Sequence, residues 1–203
     1  EVLALYDQQV WGVVKQYTQD QINAISLLAR LELAGVDVGP RWAEVADHLA
    51  LRLADHVLPF LDLQYLYGLA RAGHTEAARA MQNNIATHAA TRTEAHERTV
   101  WQQVCMPAAH GLLAHAQGDC ATAAEKLGTA LPRLVEIGGS HAQRDLFHQI
   151  WLDALQRNGQ WAAVQNLLQP LCNAQPQSAR LARQVRRVNQ ALGLPDSAHE
   201  DFE

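Results

Sequence analysis

The densest set of groups able to do chemistry lies in one stretch, Gly138-Gly139-Ser140-His141-Ala142-Gln143-Arg144-Asp145-Leu146-Phe147-His148. His141, Asp145 and His148 fall at i, i+4 and i+7, one face of a helix. Imidazole and carboxylate groups so placed can converge on a metal ion or act as an acid–base pair. Two His and one Asp from a single helix rarely complete a metal site, however, and no HExxH-type signature accompanies them. The plainer expectation is a capped helix with a polar face, no metal and no cofactor. Ser140 and Gln143 fit a capping box, in which each side chain bonds the other residue's amide. The amides of such a helix start, with Arg144 beside them, can also hold a carboxylate or phosphate. Against that, the box already satisfies those amides. Arg144 and Asp145 can instead pair with Glu32 or Asp62 on neighbouring helices, as a structural polar network.

The other reactive side chains are sparser. His110 and His115 lie five apart and share no face. Arg180, Arg183 and Arg187 form a basic stripe on the last helix, read as a solvated face or as a contact for RNA or an acidic peptide. Cys105, Cys120 and Cys172 are odd in number and lack CxxC spacing, which argues against a disulfide framework and a zinc knuckle. No glycine-rich phosphate loop or nucleophile elbow occurs. The five Trp are spread one or two per hairpin, which suits core packing better than a stacking platform.

The elements that must position these groups are helical. Ala, Leu, Gln and Arg dominate, and β-branched runs are rare. Formal charge is 16 − 21 = −5, so no global basic field recruits nucleic acid or an anionic membrane. No apolar run approaches the roughly 18 residues of a transmembrane helix, and reduced cysteines fit a cytoplasmic setting. The opening Glu1-Val2-Leu3 is already helical in pattern, which fits the C-terminal piece of a longer protein. Apolar spacing predicts helices over about 1–17, 21–34 capped by Asp20, 40–57, 61–72, and a partner capped by Thr75 running to about 90. Others follow at about 94–117 with a kink at Pro107, about 120–131, 141–157, 160–173 and 178–192. The residues to 194 read as one helical-repeat domain, and 195–203 as a disordered acidic tail.

A repeat is visible in the turns. Ala72-Gly73-His74, Gln117-Gly118-Asp119 and Asn158-Gly159-Gln160 share one logic, with Gly35 as a fourth, at spacings of 38, 45 and 41 residues. Ala77-Ala78, Ala123-Ala124 and Ala162-Ala163 follow them and permit close helix packing. The reading is a right-handed superhelix of antiparallel helix pairs, as in degenerate tetratricopeptide arrays.

Leu3-Ala4-Leu5-Tyr6-Asp7, the run Leu31 to Gly39 with Arg41-Trp42, and Gly138 to Asp145 together resemble the tetratricopeptide repeat protein 38 family, over most of the chain to about residue 175. The resemblance implies a superhelix of degenerate repeats and no established reaction. The family tends to carry Asp followed two residues later by His near the third hairpin. This chain keeps Asp62 but has Gln64 at the second position. The function expected first is a scaffold holding a protein or peptide on its concave face, without nucleic acid or membrane, whether alone or as a homo-oligomer. The alternative is a small-molecule-binding or catalytic protein, with a polar site among Asp62, Gln64, Ser140, His141, Arg144, Asp145 and His148.

Overall fold

The computed structural model describes residues 1–12 and 14–195, and every regular element among them is helical. In chain order these are α1 (Val2–Leu5), α2 (Thr18–Leu33), α3 (Arg41–Leu49), α4 (Pro59–Arg71), α5 (Thr75–Thr91), α6 (Ala95–Val100), α7 (Met106–Ala116), α8 (Cys120–Ala130), α9 (His141–Arg157), α10 (Trp161–Ala174) and α11 (Ala179–Leu192). Packing divides the chain into two units, Glu1–Trp151 and Leu152–Glu203. No described helix is long and apolar enough to cross a membrane.

The first unit is organised around α4. Its sequence is apolar on every side, and residues 59, 60 and 62–69 are all buried. A helix of this kind must be enclosed by others. α2, α3, α5 and α7 pack on it, and α8 packs in turn on α7. One continuous core, from Tyr6 and Trp11 through Leu63 and Leu66 to Phe147 and Ile150, fills the space between them. α4 therefore buries its polar residues Asp62 and Gln64. In the second unit α10 packs on α11, with Val164, Leu168, Leu181 and Val188 buried.

The repeated turns share one hydrogen-bond pattern. His74, Asp119 and Gln160 donate their amides to the carbonyls of Leu69, Ala114 and Leu155 at 3.0, 2.9 and 2.9 Å. The amides of Gly73, Gly118 and Gly159 reach Ala70, His115 and Gln156 at 3.1, 3.0 and 3.1 Å. This is the Schellman ending, and its left-handed residue, with φ of 78°, 84° and 70° here, is why glycine recurs. The fourth turn has the same bonds, Val36 to Leu31 and Gly35 to Glu32, at 2.9 and 2.8 Å.

Several expected boundaries move. The helix expected over 1–17 ends as α1, passes through a π turn at Tyr6–Val10 and leaves helical geometry at Trp11. The wider turn helps residues five apart, Tyr6 and Trp11, to be buried together. α2 begins at Thr18, so Asp20 lies inside the first turn rather than capping it. Thr75 likewise opens α5 and His74 occupies the cap position. The helix expected to run to Val57 stops at Leu49, followed by one 3₁₀ turn, Ala50–Arg52, and an irregular loop. Pro59 explains this, because it starts α4 and holds Leu58 extended at φ −146°, ψ 139°. The expected helix over 94–117 is α6 and α7 joined by a π turn at Trp101–Cys105. Pro107 lacks the N–H that the Gln103 carbonyl would meet in an α ladder, and immediately upstream Met106 bonds back to Trp101 across five residues. Most of the expected tail lies outside the described residues.

Candidate functional site

The loop between α3 and α4 carries His56, the one non-glycine residue with positive φ (45°) among those described. Holding a β-carbon-bearing residue there costs about 1–2 kcal/mol, so something must fix it. Three contacts do. Arg52 bonds Asp55 at 3.0 Å and the Gln16 carbonyl at 2.7 Å. Asn84 of α5 donates to the Leu53 carbonyl at 2.8 Å. His56 Nδ1 meets Asp62 Oδ2 at 2.5 Å. Asp62 sits in the first turn of α4, four residues past Leu58, and there it faces back toward the loop.

Asp62 is fully buried, and its other oxygen, Oδ1, has no partner. Burial pushes its pKa up to about 6, against the opposing pull of His56. An ionised carboxylate only accepts, so it selects the His56 tautomer with the proton on Nδ1. Nε2 of His56 has no hydrogen-bond partner among the described residues. The His56 side chain as a whole is only 10% exposed.

Two rings enclose it. His88 of α5 lies 4.6 Å from the His56 ring, and Trp101 of the π turn lies 6.0 Å from His56 and 4.5 Å from His88, centroid to centroid. Burial, then the charges of Arg92 and His56, lowers the His88 pKa. Cys105 is fully buried, and burial first, then the charge of Asp62, raises its thiol pKa. The thiol therefore stays protonated and is no nucleophile. What remains is an oriented, partly sheltered imidazole able to accept or give one proton.

The residues singled out by sequence do not form one site. Asp62 and Gln64 are two apart on a helix and point to different sides of α4. Gln64 lies on the stripe with Phe60 and Gly68, which meet Gly139 and Phe147 in one case and Ile25 and Leu49 in the other. Its amide nitrogen and oxygen are both buried without partners. Ser140 and Gln143 form the expected capping box, at 2.7 and 3.2 Å. Arg144 folds back onto the carbonyls of Gly138, at 3.2 Å, and Gly139. It does not pair with Glu32 or Asp62, because Glu32 is held by Arg71 at 2.8 Å and Asp62 by His56. Asp145 accepts from Gln149 and stands 4.0 Å from Arg30, which also donates to the Ala142 carbonyl at 2.8 Å and to Ser26. His141 and His148 are exposed. Among the described residues no group of three His, Cys, Asp or Glu is arranged to hold a metal.

This stretch thus fastens the start of α9 to α2 and α4 with its own groups. Replacing Ser140 with alanine is expected to lower stability by about 1 kcal/mol, the usual worth of an N-cap. Urea unfolding monitored by circular dichroism measures it, and an unchanged midpoint would show that the cap contributes nothing.

His56, His88 and Trp101 were not marked as a group by spacing, since they come from three separate segments. A usable signal did exist. Pro59 fixes the start of α4, so Asp55-His56 had to be loop, and an acid in the first turn of α4 faces that loop. No family model matches the chain, and no solved structure matches it.

Proposed function

We propose that this chain is a tetratricopeptide-like helical protein, akin to the tetratricopeptide repeat protein 38 family, that binds a small polar ligand beside His56 and exchanges a proton with it. The observation that supports this most is the 2.5 Å bond from buried Asp62 to His56 on a left-handed backbone. A general base needs an imidazole held in one tautomer, which the bond to Asp62 supplies, and a tenth of the His56 side chain is exposed. No activated nucleophile adjoins it, so the chemistry is proton transfer from a water, or from the ligand itself, to Nε2 of His56. Strained backbone and a shifted, buried carboxylate are features expected of a working site.

The probe is p-nitrophenyl acetate, whose hydrolysis reports an accessible basic imidazole. The wild type is expected to exceed His56→Gln by at least about 100-fold, the lower end of general-base contributions. Asp62→Asn should retain part of that rate and displace its pH profile. Equal rates for wild type and His56→Gln would sink the proposal.

A second reading, a scaffold holding a protein or peptide on the concave face of a right-handed superhelix, draws support from the recurring Schellman turns. Helix pairs joined by one repeated hinge are the units from which such arrays are stacked.

A further inference from the structure

α11 carries like charges at close range. Arg180, Arg183, Arg186 and Arg187 all lie exposed on it, and none makes an ion pair with a described residue. Arg180 and Arg183, and Arg183 and Arg186, are three apart, and Arg183 and Arg187 are four apart. Like charges at these spacings oppose the helix that carries them. Over its full length, however, the unit Leu152–Glu203 is balanced, with five arginines and five carboxylates. Asp153 pairs with Arg157 at 3.4 Å. The other four carboxylates, Asp196, Glu200, Asp201 and Glu203, follow α11 directly, in the segment 196–203 beyond the described residues.

The end of α11 keeps the chain beside the helix. Gly193 turns left-handed at φ 67°, and the Leu194 amide donates back to the Asn189 carbonyl at 2.8 Å. The Asn189 side chain then donates to the Pro195 carbonyl at 3.4 Å. Pro195 is thus tied to a residue six positions earlier instead of leading away from α11. Leu194 lines a cleft of about 500 Å³ together with Arg183, Arg186, Arg187 and Gln190. The face of α11 that packs on α10 is a different one, with Leu181 and Val188 buried.

We propose that the chain's own segment 196–203 docks along this arginine face, carboxylates on guanidinium groups, and so covers it against other anions. Three observations favour this occupant over one from another molecule. The first is charge, since four carboxylates answer four arginines within one unit. The second is reach. From Asn189 back to Arg180 is about 14 Å at 1.5 Å per helical residue, and the segment, fully extended, spans up to about 26 Å. The third is tethering. The segment starts two residues past Leu194, at the edge of the cleft, and a short flexible link supplies an effective concentration on the order of millimolar. Exposed ion pairs are individually weak and screened by salt, so the segment is a displaceable cover. This inference does not depend on the His56 site.

The test is amide nitrogen-15 transverse relaxation of residues 198–203 in the full chain. Rates at about 10 mM salt are expected to exceed those at about 1 M by at least about twofold, because the Debye length falls from about 30 to about 3 Å. Glu200→Lys/Asp201→Lys should abolish the difference, and it leaves α11 itself untouched. Arg183→Glu/Arg187→Glu should abolish it too, with circular dichroism confirming that the helix persists. Combining the two double changes exchanges the signs across the contact and should restore the difference. Rates indifferent to salt, rates unchanged by either double reversal, or no recovery in the combined variant would each overturn the proposal. So would a salt-dependent difference that fades on dilution, since that would place the segment on a second copy of the chain.

Discussion

Lowering the pH from 7 to 4 is expected to stabilise wild type relative to Asp62→Asn by about 3 kcal/mol. The sign follows from the direction of the shift. In the folded chain Asp62 releases its proton near pH 6, and in the unfolded chain near 3.8. Between those values the folded state holds more protons, so stability is fully present below about 4 and is lost as pH rises through 6. A shift of about two units corresponds to roughly 3 kcal/mol at 1.36 per unit. Other carboxylates work the opposite way. Asp7 and Glu136 are held below their ordinary range by bonds to Arg41 and Arg133, and Asp119 by the Thr122 side chain and amide, so what they contribute fades as pH falls. The difference between wild type and Asp62→Asn removes these shared contributions. Asparagine can still accept from His56 Nδ1, so the loop keeps its anchor. Thermal unfolding of both proteins between pH 4 and 7 makes the comparison, and parallel curves would mean that Asp62 does not titrate there. At neutral pH Asp62→Asn should be at least as stable as wild type yet slower in proton transfer. A buried charge that lowers stability while serving activity is the trade-off expected of a functional group.

Gly111→Ala should be the most damaging single-methyl change in the core, lowering stability by about 2–3 kcal/mol. A β-carbon at 111 would lie 2.7 Å from Leu127 Cγ and 2.9 Å from the Leu127 backbone nitrogen. The side chain could rotate away, but the backbone could not yield without moving α8 off α7. Alanine's better helix propensity, worth about 1 kcal/mol, opposes the loss and is smaller. At 2–4 °C per kcal/mol for a chain of this size, the midpoint should fall by roughly 5–10 °C. Gly128→Ala on α8 is the control. Its β-carbon would meet only the Trp151 ring, no closer than 3.4 Å, so that variant should melt at or slightly above the wild type. Equal effects at 111 and 128 would show that propensity, not helix contact, governs both.

What the sequence made legible was local. The Schellman turns at Gly73, Gly118 and Gly159, the Ser140–Gln143 box and the start of α4 at Pro59 are each written within six residues. The physics of a cap or a turn is complete at that range. Deviations from α geometry were harder to read. The π turns at Tyr6–Val10 and Trp101–Cys105 answer to burial on both sides of a helix, which a 3.6-residue period averages away. Of the residues that the sequence singles out, Asp62 alone meets His56, and the structure places the others elsewhere. Grouping Asp62 with Gln64 follows the resembled family's pattern of Asp and, two residues on, His, while the helix sends the two in different directions. His56 was hidden by extending α3 to Val57. His88 and Trp101 carried no mark because their meaning lies only in meeting His56 across three elements.

The π turn at Trp101–Cys105 makes the candidate site a matter of phase. A π turn is an α-helix with one residue more than the ladder needs, and that residue rotates everything upstream by about 100° relative to the downstream frame. Trp101 faces His56 and His88 in this frame. Removing one residue from the exposed pair Gln102-Gln103 would take out the extra residue and swing the indole out of the cluster, with Pro107 still interrupting the ladder. Chain length here, rather than side-chain identity, therefore sets whether the cluster exists. A protein sharing every named side chain but one residue shorter in this segment would have the fold without the ring that closes the site.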